Sequence, residues 1–207
     1  MNRALPWTSA GAALAVLALF LAPGVAWFDS GELAATAAHL GVPHPTGFPL
    51  FNLSGHLFTL LPIGPLAMRV HLLGATAAVV ACFLWLRCLT PPSEEAPPIG
   101  KVSLFWVSTS LVLIPLLAQA PLRHIRATEV YPLAWLVTAL AVVALQLRSP
   151  TRRLVVLPVL AVIGALVHVE VVLIVAVLTL YALYAAARTR SKESLNLRVF
   201  GITVGLC

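Results

Sequence analysis

The sequence predicts an all-α polytopic membrane protein, a single transmembrane domain over residues 1–207 with about six spans and the start of a seventh. Three observations predict it. The chain is 60% hydrophobic and only 10% charged, whereas a soluble domain carries roughly 25% charged residues. Its apolar runs have the length of membrane spans, about 20 residues. Its basic residues also fall unequally on the two sides that those spans define. The formal net charge of +6 therefore reports membrane topology, and no nucleic-acid partner is expected.

The first span is read from Ser9 to Trp27, behind Arg3. "PGVA" before Trp27 has the small-residue character of a signal-peptide cleavage site, but a run this long at the head of a polytopic chain reads as a retained helix. The second span covers Leu66 to Leu89, the third Val102 to Ala120, and the fourth Val130 to Leu147. Pro115 and Pro132 lie in or at the edges of these spans, which membrane helices tolerate. Leu154 to Ala187 would be about 51 Å long as one helix, against a hydrocarbon core of about 30 Å. Its one polar point is His168 to Glu170, so two short spans are expected, Leu154–Val167 and Val171–Ala187. The closing "FGITVGLC" reads as the start of a seventh span in a C-terminally truncated sequence. Cys82 and Cys88 sit in an apolar run with no metal or disulfide spacing, as packing residues do. "PPSEEAPP" is a stiff inner linker.

With a cytoplasmic N-terminus, ten basic residues fall inside (Arg3, Arg87, Lys101, Arg148, Arg152, Arg153, Arg188, Arg190, Lys192, Arg198) and three outside (Arg69, Arg123, Arg126). Reading 154–187 as one span would move the last four outside and spoil this bias. The same topology puts Asp29, Glu32, Glu129, Glu170 and all six histidines on the outer side, in a first outer loop (28–65), a second (120–130), the turn at His168 and, for His71, the outer part of the second span. Ionisable groups near a bilayer are costly, so their collection on one face points to a site.

"FDSGEL", Phe28 to Leu33, has a structural explanation. Asp29 at the N-cap and Glu32 three residues on form a capping box, with Phe28 and Leu33 at the staple positions. The interfacial helix that follows would stop at Gly41, ahead of Pro43. A capping Asp29 stays ionised, so capping and chemistry are compatible. "GVPHPTGFPLF" holds His44 between two prolines in a rigid turn, where one imidazole beside two carboxylates makes a binding wall. His39 and His56 lie on presumed helices and read as structural. Arg123 and Arg126 share a helical face if their segment is helical. Their partner is a lipid head group, Glu129, or the phosphate of a substrate. His168 and Glu170 form either an interfacial turn or a third wall of the same site. P-loop, dinucleotide-binding, HExxH and GxSxG motifs are absent from the sequence.

"WFDSGELAATAAHLGVPHPTGFPLFNLSGHLF", "ATEVYPLAW" and "GALVHVEVVL" together resemble, in order and spacing, a group of bacterial polytopic proteins related to the transmembrane protein O-mannosyltransferases. Thr46, Phe48 and Glu170 depart from that pattern, in loop details. The resemblance implies a GT-C type helix bundle and a glycosyltransferase. Such an enzyme moves a sugar, mannose or a similar hexose, from a polyprenyl-phosphate donor to a protein or glycan acceptor hydroxyl on the extracytoplasmic face of the cell membrane. It implies Asp29 as the catalytic carboxylate, supported by Glu32. Arg123 and Arg126 are then expected on the donor phosphate, with His44, Glu129 and His168 shaping the substrate site. No cofactor is required, and a divalent metal held by Asp29, His44 or Glu129 stays open. The rival readings are a transporter or flippase component, for which His71 and Thr76 would be the nearest polar groups to mid-membrane, and a non-catalytic membrane partner with the same fold.

Overall fold

A computed structural model describes residues 7–89, 109, 110, 113 and 116–189. Its described residues form eight α-helices and no strand: α1 (Trp7–Ala18), α2 (Ser30–His39), α3 (Pro49–Thr59), α4 (Leu66–Leu89), α5 (Gln119–Arg126), α6 (Tyr131–Leu145), α7 (Pro150–Ala165) and α8 (Val169–Thr189). Most of the expected span Val102–Ala120, the linker Pro91–Pro98 and the apolar tail lie outside the described residues.

Two helices are long and apolar enough to cross a membrane, Leu66–Cys88 within α4 and Val169–Ala187 within α8; α1 and α6 are shorter apolar helices. α4 is the central element. One of its faces packs with α2, α3 and α6, and α6 in turn packs with α7 and α8, around Leu33, Phe51, Val70, Leu73, Leu133, Val137, Leu157 and Val171. The other packs with α1 and α5 around Leu17, Val79, Phe83 and Ile125. Small residues set the closest approaches. A Cβ on Gly55 would lie 2.8 Å from the Ala37 Cβ, and one on Gly164 would lie 2.5 Å from Val171 Cγ1.

The first expected span is corrected. Helix α1 ends at Ala18, so it is about 18 Å long at 1.5 Å per residue. Pro23 lacks a backbone donor, and the Ala22 N–H donates across to the Arg126 carbonyl at 3.0 Å instead of extending the helix. The break expected at His168 is present, between α7 and α8, which fold back on each other. The segment expected as the first outer loop carries α2 and α3, and the segment expected as the second is mostly α5.

Three hydrogen bonds draw these inter-helix segments together. They run from Ala22 N–H to Arg126, from Thr128 N–H to the Ser30 hydroxyl (3.3 Å), and from Leu50 N–H to the Leu166 carbonyl (2.9 Å). Segments that are distant in sequence thus meet at the ends of the helices, where the candidate site lies.

Candidate functional site

The capping box expected at Asp29 does not form. Asp29 precedes α2 with helical backbone angles, and its side chain makes no capping hydrogen bond. Ser30 takes the local role, its buried hydroxyl accepting from the N–H groups of Ala26 and Thr128. The staple is also absent. Leu33 is buried, but Phe28 is 73% exposed, and the Arg123 guanidinium lies 4.6 Å from its ring centre. At the other end of α2 the left-handed residue is Leu40 (φ 52°), one position before the expected Gly41, whose N–H donates to Thr36.

Glu32 reaches the proline loop. Its carboxylate accepts from the His44 backbone N–H at 2.6 Å and from the His44 ring Nδ1 at 2.9 Å. An ionised carboxylate only accepts, so Nδ1 carries the proton in this contact. Nε2 of the same ring lies 3.9 Å from Asp29 Oδ2. The His44 hydrogen bond to the Glu32 side chain holds that carboxyl below the usual range, and the same bond raises the His44 imidazole above its usual value. Asp29, Glu32 and His44 can each offer a ligand atom, all within 4.8 Å of one another. A histidine whose Nδ1–H is fixed by a carboxylate while Nε2 faces a second carboxylate has the donor set and outer-shell support of a divalent-cation ligand.

Glu129 belongs to the same electrostatic group. Burial, then the charge of Asp29, hold its carboxyl above the usual range, against the opposing pull of Arg123 and His44. Arg123 and Arg126 are on α5, which is helical as the three-residue spacing requires, with Ile125 fully buried between them. Both arginines line a cavity of about 640 Å³ with Ala22, Ala26, Trp27, Leu122 and Ala127. Arg126 also has a structural task, its Nε donating to the Phe20 carbonyl at 3.0 Å. Trp27, Phe28 and Arg123 border a second, open recess.

His168 reaches the group through rings. It stacks on Phe48 (5.8 Å between centres, planes 7° apart), and Phe48 meets His44 edge-on at 5.3 Å. Tyr131 lies 5.4 Å from His168 and 5.1 Å from His124. Burial, with the Arg123 charge, depresses the His124 imidazole. Glu170 stays local, its Oε2 lying 3.8 Å from His168 Nδ1. His39 stays exposed, and His56 caps α2 by bonding to the Ala37 carbonyl. His71 is fully buried in α4, with neither ring nitrogen hydrogen-bonded. The sequence reading missed Ser30, Phe48, Asn52 and Tyr131. Only "ATEVYPLAW" carried a signal, and it drew attention to Glu129 alone.

A model of the family described as Protein O-mannosyl-transferase TMEM260 N-terminal domain matches residues 29–193, well over half of the 207 residues. The chain belongs to this family. The TMEM260 N-terminal match begins at Asp29 and takes in Glu32, His44, Arg123, Arg126, Glu129 and His168. A curated relative, "Protein O-mannosyl-transferase TMEM260" of Mus musculus, is 42% identical over 93 residues, which are 44% of this chain and 13% of that protein's length. No solved structure matches this member of the TMEM260 family.

Proposed function

We propose that this chain forms the N-terminal membrane part of a GT-C type glycosyltransferase. The enzyme would move a hexose, mannose by the name of its relative, from a polyprenyl-phosphate donor to a hydroxyl of a protein or glycan acceptor on the extracytoplasmic face. One observation carries the reading. The Asp29 carboxylate is free of the helix cap and lies 3.9 Å from the His44 ring, and Trp27, two residues before it, lines the cavity that also holds Arg123 and Arg126.

In the proposed reaction Asp29 takes the proton of the acceptor hydroxyl. The oxygen attacks the anomeric carbon, and the bond from that carbon to the phosphate oxygen breaks. The lipid phosphate leaves with the electron pair, its charge met by Arg123 and Arg126. Glu32 fixes His44, and His44 supports Asp29. Glu129, its carboxyl held above the usual range by burial, walls the site. The prenyl chain would lie along the apolar helices, whose membrane face includes the exposed Leu173, Ile174, Val177 and Leu180 of α8. A multi-pass arrangement of about six spans, with an inner N-terminus, sets this site outside. A divalent cation would sit on Asp29 and the His44 Nε2, with Glu32 fixing the imidazole.

The test is a transfer assay on the full-length protein in membranes, with labelled mannose supplied either as a polyprenyl phosphate or as a nucleotide sugar. Label should reach a protein acceptor from the lipid donor alone. Transfer from the nucleotide sugar, with none from the lipid donor, refutes the proposal. Loss of transfer in EDTA, restored by Mg²⁺ or Mn²⁺, would assign the trio to a cation. Unchanged transfer would leave Asp29 acting as an unassisted base.

A further inference from the structure

We infer that Phe48 is a positioning residue for the carboxylate–imidazole group, and that His168 acts on that group through the Phe48 ring. The inference rests on the proposed catalytic reading of Asp29.

Phe48 follows Gly47 (φ 83°) and itself has φ 41°, ψ 55°. Residues with a Cβ avoid the left-handed region, and a bulky residue stays there only where its surroundings over-determine it. Here they do. The ring is 5% exposed, stacked on His168 and set edge-on against His44. The Phe48 carbonyl accepts from Asn52 N–H at 3.0 Å. The buried Asn52 amide donates to the carbonyls of Gly41 (3.0 Å) and Gly47 (3.3 Å), and its oxygen accepts from the Thr36 hydroxyl (3.1 Å). Both ends of loop 41–47 are thereby tied to α3. The Leu50–Leu166 hydrogen bond joins that same end of α3 to the turn before His168.

His44 is therefore held from two directions. Glu32 grips Nδ1 and the backbone N–H, and the Phe48 ring edge limits rotation of the imidazole. Without an aromatic ring at 48, the loop ends stay fixed by Asn52 but the imidazole gains freedom to turn from Asp29. His168 is engaged elsewhere, Nδ1 accepting from Glu170 N–H at 3.3 Å and the ring face lying against Phe48. That arrangement suits a support better than a sugar ligand.

The experiment uses the full-length protein in membranes or detergent, with Phe48→Leu, which keeps apolar burial without a ring, Phe48→Tyr and His168→Ala. Two readouts are needed: transfer kinetics, and the mobility of the His44 ring by NMR relaxation of labelled histidine. Phe48→Leu should lower kcat about ten-fold with little change in the donor KM, a scale set by the cost of small misplacements. It should also loosen the His44 ring. Phe48→Tyr should keep both properties. His168→Ala should resemble Phe48→Leu, and the double variant should be no worse than either, as expected for one shared pathway. An unchanged His44 ring mobility in folded Phe48→Leu overturns the inference, as do additive effects in the double variant. If the ring loosens while Asp29→Asn leaves transfer intact, the positioning stands and the catalytic reading fails.

Discussion

At Glu32 and His44 the site depends on two shifted protonations of opposite sense. Glu32 is held below its ordinary 4.5 by the His44 hydrogen bond. Its contribution is present above pH 4.5 and is lost as pH falls through the lowered value. His44 is raised above its ordinary 6.5 by the same bond. Its contribution is complete below pH 6.5 and is lost as pH rises through the raised value. Loop 41–47 should therefore be most firmly held between about pH 4.5 and 6.5. Amide exchange at His44, corrected for intrinsic rates, should be slowest there and accelerate on both sides. Glu32→Gln should flatten the profile; an unchanged profile would mean that the pair does not hold the loop. The spacing of Asp29 and Glu32 showed a helix start and two carboxylates side by side. It did not show that Glu32 prefers an imidazole twelve residues on. That preference depends on how the proline loop returns over α2, which is a tertiary fact.

Among the elements, the hairpin of α7 and α8 does most to place the site. Its break was legible because a mostly apolar stretch of 34 residues, Leu154 to Ala187, outruns a bilayer and the charge bias demanded a return. What was not legible is the tightness of the turn. Gly164 lies against Val171 so closely that a Cβ has no room. Gly164→Ala should destabilise the protein by about 1–3 kcal/mol, the usual cost of overpacking. A lowered thermal midpoint in detergent would show it, and adding Val171→Ala should restore part of the loss. A midpoint equal to wild type would mean that the two helices separate at no cost. Helix α1 shows the opposite error. Hydropathy carried the first span through to Trp27, but Pro23 and the bond from Ala22 to Arg126 turn the chain away after Ala18. A hydropathy window registers the apolar residues and not the tertiary partner.

For the whole molecule, the account requires the segments bearing Asp29, Arg123, Glu129 and His168 to share one side of the membrane, opposite Ser149. Cysteines placed at Ile63 and Ser149, each in a background with the native cysteines replaced, test this with an impermeant maleimide. Ile63→Cys should label in intact cells, and Ser149→Cys only after permeabilisation. The reverse pattern would put the site on the cytoplasmic face. The collection of acids and histidines on one side is an expectation that the sequence supplies through its charge asymmetry, before any contact is known, and the labelling pattern is what tests it. The ring ladder from His44 through Phe48, His168 and Tyr131 to His124 was not. Its members come from three separate parts of the chain, and stacking leaves no periodic trace.

The most direct measurement is sugar transfer by full-length Asp29→Asn, in membranes, from a polyprenyl-phosphate mannose donor. The Asp29 side chain makes no capping bond, so the variant should fold and unfold as wild type does. Its transfer rate should fall by about 10²-fold or more, the scale of a lost general base. Wild-type transfer by a folded Asp29→Asn protein would contradict the account at its centre.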